Sequence, residues 1–350
     1  MAAKVGTLTI ADLLKVRFQS VAEYGRDTIQ EVLRRDLAAH NALVGQMVSD
    51  LCEVTTDRQR IYGTSISGEM YEVDEFGRVP VKKELPGSTV GFPLKLYQYA
   101  IGWTEKWFQV HTPAEMAEQV NGSQRAHLKL LGDEVKKAFY LSANYTHQDF
   151  LIDYVDLAVK RLVNADSAPI PDGPNGEVFD GSTHDHYNAN AGLTAALLQA
   201  NTEDVIEHGH GSHPVIYINK ANETAVRALT GFEPYIDPRV VYRASDTLAR
   251  TLDLTRLDNR AIGIFEQAEV WVKPWAITGY ALCLDLAAPK PLAFRQRTNT
   301  ALRGLRVVAE NEAFPMLAQF MEAEFGIGCW QRTNGAVFDF VNATYTDPTI

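Results

Sequence analysis

The sequence predicts an α+β subunit, and three observations carry that prediction. Helical stripes of apolar residues run through residues 9–57 and 112–141. Between them, residues 64–111 hold the Gly, Pro, aromatic and β-branched residues of β-structure broken by turns. The last third alternates strand-like and helix-like runs. A chain of 350 residues suits one domain with insertions, or two intertwined ones. With 46% hydrophobic and 22% charged residues, wholesale disorder is excluded. Lys and Arg number 33 against 44 Asp and Glu, a net charge of −11. That argues against a dedicated nucleic-acid reader, but not against a protein that lies beside nucleic acid without gripping it.

Cys52, Cys283 and Cys329 are far apart and form no CxxC pair, so reduced thiols in a cytoplasm are expected. The N-terminus lacks the apolar core of a signal peptide, and no run approaches the length of a membrane span.

Taken in order, Thr9 and Asp12 read as a capping start. Ile10, Leu13, Leu14, Val21, Tyr24, Val32, Leu33, Leu37, Val44, Met47, Val48 and Leu51 then form a stripe, with Gly25 and Gly45 as weak points. Such a stripe either packs on its own core or lies across a neighbouring subunit. In residues 64–111, Phe92, Tyr97, Tyr99, Trp103 and Trp107 sit among Gly, Pro and charges, which predicts a projecting hairpin that packs on partners. The clearest helix is 112–141. Thr112 is its N-cap, Pro113 stands at N1, and Glu115 completes a capping box. Residues 164–192 read as a long loop. Helical pieces near 193–208 and 221–230 flank a buried strand at 214–218. Arg239, Arg243, Arg250, Arg256 and Arg260 alternate with Asp237, Asp246, Asp253 and Asp258, the pattern of a solvated or salt-bridged face. Strands are expected at 269–273, 279–286 and 302–310, a helix at 313–326 ended by Gly326, and a hairpin turning at Thr333–Gly335.

Chemistry-bearing motifs are sparse. His184 and His186 lie in an HDH run, and His208, His210 and His213 in HGHGSH, next to Glu207. Imidazoles so spaced bind zinc in some proteins, but HxH on a Gly-rich turn is no signature and HExxH is absent. The expectation is therefore a polar loop, with no metal, no cofactor and no catalytic residue. Phosphate loops and a GxSxG elbow are also absent. A metal-dependent enzyme centred on 208–213 remains the rival reading. Lys82 and Lys83 fall in the projecting hairpin, where charge keeps an exposed β-element soluble.

The run GSTVGFPLKLYQYAIGWTEKWFQVHTPAEM (87–116) resembles a return strand entering a spine helix, and VVAENEAFPMLAQFMEAEFGIGCWQRTNGAVF (307–338) resembles a C-terminal strand, helix and hairpin. In their order along the chain these segments resemble the major capsid proteins of tailed bacteriophages, the Hong Kong 97 fold. The resemblance implies an N-terminal arm (1–63), an extended β-hairpin loop (64–111), the spine helix of a peripheral domain (112–159), an axial domain (160–268), and C-terminal elements completing the peripheral domain (269–350). It implies a non-enzymatic shell protein that assembles as hexamers and pentamers around double-stranded DNA without sequence-specific binding. A portal and a separate scaffolding protein would be its partners, with no membrane. The shell would be built in a host cytoplasm and end in the virion. On this reading Lys82, Lys83, Phe92, Trp103, Trp107 and Arg332 make assembly contacts. Some relatives cross-link Lys to an Asn of the C-terminal helix; Phe314–Phe325 contains none and Asn311 lies upstream, so a non-covalent shell is expected. An encapsulin-like compartment is the alternative within the fold.

Overall fold

The computed structural model describes residues 8–64, 70–79, 86–235, 240–241, 249–250 and 259–350. The chain begins with α1 (Ile10–Leu13), capped by Thr9 and Asp12, and α2 (Val21–Tyr24), capped by Ser20 and Glu23. Gly25, at φ +104°, takes a turn that a side chain would strain, and α3 (Arg26–Val48) follows. Its buried face is Ile29, Val32, Leu33, Leu37, His40, Val44 and Val48. The apolar ones join one core with Phe139, Phe294 and Phe325 from far along the chain. Of the two readings of the N-terminal stripe, packing on its own core holds, and a stripe laid across a neighbour is corrected.

β1 (Cys52–Thr55) and β2 (Gln59–Tyr62) come next. β3 (Ser88–Gly91) pairs antiparallel with β2, so the two ends of the 63–87 excursion are tied together. β4 (Lys95–Thr104) does not return along that hairpin: all ten of its residues pair with the C-terminal strand β17 described below. α4 (Glu105–Val110) leads into α5 (Pro113–Tyr140), 28 residues with the predicted capping box and Pro at N1. At 1.5 Å per residue α5 spans roughly 42 Å.

A short pair, β5 (Tyr145–Gln148) with β6 (Asp156–Val159), precedes the loop. β7 (Tyr187–Ala189), α6 (Ala195–Ile206), β8 (Pro214–Ile218), α7 (Glu223–Arg227) and β9 (Phe232–Pro234) follow. β10 (Val240–Val241) pairs with β11 (Ala249–Arg250). The remaining strands are β12 (Arg260–Phe265), β13 (Ala268–Val272), β14 (Tyr280–Asp285), β15 (Leu292–Gln296), β16 (Arg306–Ala313), β17 (Met316–Cys329) and β18 (Ala336–Asp339).

Two sheets organise the described residues. A seven-stranded sheet runs β7-β18-β14-β8-β13-β12-β9, and α6 lies against it. It crosses the expected boundary at residue 268, because β13 is hydrogen-bonded to both β8 and β12 and cannot belong to another layer. The second sheet runs β1-β15-β17-β16, with β4 also on β17.

Two sequence expectations are corrected here. Residues 313–326 do not form a helix. Leu317, Gln319, Met321, Ala323, Phe325, Ile327 and Cys329 are all buried at a period of two, the mark of a strand face. Helix-forming Met, Ala, Gln and Glu are overridden because β4 and β16 pair with both edges of the segment. The cross-linking argument from that helix therefore loses its premise. Nor do the strands flanking 330–335 form a hairpin: β17 belongs to one sheet, while β18 pairs with β14 and β7 in the other.

Candidate assembly surfaces and a histidine cluster

The expected contact residues turn inward. Phe92 is fully buried and forms a small cluster with Tyr62, Val90 and Ala293, capped by Trp330. Trp103 is 2% exposed, and its indole N–H donates to Gln119 of α5. Arg332 is 1% exposed; its guanidinium donates to the carbonyls of Arg161 and Leu162, to Asn164 and to Asp166. These three are interior groups, which corrects their assignment as surfaces for a neighbouring subunit. Trp103 points inward on the alternation of β4, whereas Phe92 and Arg332 lie outside the strands and are held by their tertiary partners. Trp107 is half-buried, stacked on His111 at 4.5 Å between centroids. Lys82 and Lys83 lie outside the described residues, as do Asp237, Arg239, Arg243, Asp246, Asp253, Arg256 and Asp258. Arg260 pairs with Glu223 of its own chain at 2.9 Å.

Other groups carry the exposed apolar surface. Phe314, in the turn between β16 and β17, is 89% exposed. Residues 70–79 are exposed throughout, with Met70, Tyr71, Val73, Phe76 and Val79 among them. Phe150, Ile152, Tyr154 and Val155 crowd the exposed β5–β6 turn, and Phe18 projects between α1 and α2. One signal could have found Phe314: a Phe-Pro pair is a poor site for a helix interior, because Pro drives the preceding residue away from helical geometry.

Buried charges find partners within the chain. Arg295 reaches Asp149 at 2.8 Å and donates to the carbonyl of Phe92. Lys95 and Lys137 flank the buried Glu134 at 2.6 and 2.9 Å. Burial alone would raise the Glu134 carboxyl; hydrogen bonds and charge from the two lysines hold it below the usual range. Asp285 accepts backbone N–H bonds from Gly211, Ser212, His213 and Ala287, which outweigh burial and hold its carboxyl low.

The histidines are not a simple polar loop. His184, His186, Glu207 and His208 converge, their ligand-type atoms all within 4.8 Å of one another. The Nε2 atoms of His184 and His208 are 2.9 Å apart, and each is 3.1 Å from that of His186. Glu207 Oε1 lies 3.2 Å from His184 Nε2. Burial holds His186 down to about 3 and His208 down to about 2, so both rings are neutral at physiological pH. His210 turns away to Thr333 Oγ1, and His213 is exposed near Glu269. The two histidine runs meet because α6 ends at Ile206, with Glu207 as its C-cap, while Val163 and Val337 bond the backbone of His186 from both sides.

No family model and no curated protein matches the chain. Among solved structures, a chain from Mycobacterium phage Patience is similar at 21% identity, covering 99% of this chain and 96% of that one with a TM-score of 0.68. A chain titled as the capsid of a native GTA particle is 11% identical, covers 84% and 90%, and scores 0.49. The holo-SrpI encapsulin complex from Synechococcus elongatus is 9% identical, covers 87% and 90%, and scores 0.42. The α+β fold of this chain is thus shared, over nearly the whole length of both, with a chain of a phage structure.

Proposed function

We propose that this chain is a structural shell protein that self-assembles, without a catalytic step, into hexamers and pentamers of an icosahedral particle enclosing double-stranded DNA. The observation that carries the reading is the shared fold with the phage structure over 99% of the chain. The exposed apolar tips support it: large side chains at 70–79, 150–155 and Phe314 stand on projecting turns where the chain itself does not cover them. A net charge of −11 suits a wall that must not adhere to the phosphates it surrounds. In this reading α5 is the spine of a peripheral domain, the seven-stranded sheet builds the axial domain, and the 63–87 excursion extends over a neighbour. A portal and a separate scaffolding protein complete the assembly in the host cytoplasm. Among the described residues, no helix is long and apolar enough to cross a membrane.

Phe314→Asp tests the tips. Phe314 is 89% exposed, so the variant is expected to melt within a degree or two of wild type while particle yield falls at least tenfold. Normal particles from the variant would remove this tip from the interface. Nuclease-protected DNA in purified particles supports a genome shell; protein cargo in its place supports the encapsulin-like compartment.

A further inference from the structure

We propose that His184, His186, Glu207 and His208 form a structural zinc site that staples the 164–192 loop to the end of α6. The argument starts from hydrogen-bond arithmetic. His186 Nδ1 lies 2.7 Å from the carbonyl of Gly335. A carbonyl only accepts, so Nδ1 carries the proton and Nε2 is the nitrogen left to present a lone pair. That lone pair faces two further Nε2 atoms at 3.1 Å, which face each other at 2.9 Å. Each imidazole nitrogen has one in-plane direction, holding either a proton or a lone pair. Two available protons cannot satisfy three mutual contacts, whereas one cation at the centre accepts all three lone pairs.

The dimensions fit zinc. At a Zn–N distance of 2.0–2.1 Å, tetrahedral ligands are separated by about 3.3 Å. The observed N···N spacings of 2.9–3.1 Å fall a few tenths of an ångström short of that. Glu207 Oε1, 3.2 Å from His184 Nε2 and 3.9 Å from His208 Nε2, stands on the remaining side as a fourth donor. Three imidazoles and a carboxylate form a borderline donor set that suits zinc over calcium or magnesium. Four protein donors close the coordination sphere, which marks a structural rather than a hydrolytic site.

The surroundings hold the ligands in place. The His186 N–H bonds the Val163 carbonyl, and its own carbonyl accepts from Val337 of β18. The His184 N–H bonds Asp180, and its carbonyl accepts from Ala165. Phe179 packs on the His208 ring at 4.1 Å between centroids. Residues 164–186 contain no helix or strand, a long excursion for a compact chain. The three cysteines are free and buried, so no disulfide restrains it. A metal would join this loop to α6, and through His186 to β18. Glu207 is 40% exposed and leaves a path by which the ion enters.

The test uses the full chain, stripped with a chelator and then titrated with zinc or cobalt alone. Expected results are one zinc per chain after dialysis, the intense visible absorption of tetrahedral cobalt, and a melting temperature raised several degrees by zinc and lowered again by chelation. Limited proteolysis within 172–181 should slow on zinc binding. Glu207→Gln, at an exposed position, should weaken zinc binding at least tenfold with an unchanged metal-free melting temperature; His184→Gln should weaken it further. Wild-type protein that retains neither ion, with melting indifferent to both, overturns the proposal. Zinc held at full affinity by both variants overturns it equally. Particle formation is not a readout here, so this outcome stands apart from that of the shell assignment.

Discussion

Asp285 shows how single side chains set up this molecule. It lies at the end of β14, and its carboxylate gathers the backbone of the 211–213 turn, just beyond the histidine cluster. Its folded-state pKa is depressed, so the carboxylate stabilises the fold above the ordinary aspartate value of about 3.9, and that stability is lost as pH falls through the folded value. Asp285→Asn should therefore lower the melting temperature at pH 7 and flatten its fall at acid pH; an acid limb of unchanged slope would assign the acid sensitivity to other carboxylates. Arg332 and Trp103 teach the complementary lesson. Trp103 was expected as a contact group because it stands among Gly, Pro and charges, and Arg332 because the family resemblance implied it. The structure buries them against groups up to 171 positions away in the chain, and no local pattern announces such partners. The same holds for the histidines: the two runs were visible, but their convergence depends on the fold, which joins His184 and His186 to His208 while sending His210 and His213 elsewhere.

Among the elements, α5 was legible almost to the residue. Its capping box, N1 proline and period are all local signals, and local signals survive folding. β17 was not, because Met316–Phe325 satisfies a helical stripe and a strand alternation at once, and only its neighbours decide. Gly326 was expected to stop a helix. It instead sits in mid-strand where the chain crosses Pro93: a Cβ there would lie 2.0 Å from the Pro93 carbonyl oxygen. Gly326→Ala should accordingly destabilise the subunit by about 3 kcal/mol, read by denaturant melting. A loss below about 0.5 kcal/mol would mean that the crossing relaxes freely. The β4 strand was expected as half of a projecting hairpin and instead forms the edge of the β17 sheet, while β2 pairs with β3.

For the whole molecule, the sequence conveyed the α+β class and the long capped helix, while the seven-stranded sheet, drawn from residues 187–339, could not be read from contiguous segments. The most exposed apolar groups include turn residues such as Phe18, Phe76 and Phe314, while the tryptophans are not among them, so association should depend on tips and edges laid over other copies. Many such contacts, each modest, add up to a stable closed particle. The most direct measurement is electron microscopy of the purified full-length chain across a range of concentration and ionic strength, with and without a scaffolding protein. Rings of five and six subunits and closed shells are the predicted result. A protein that stays monomeric in every condition would contradict the account.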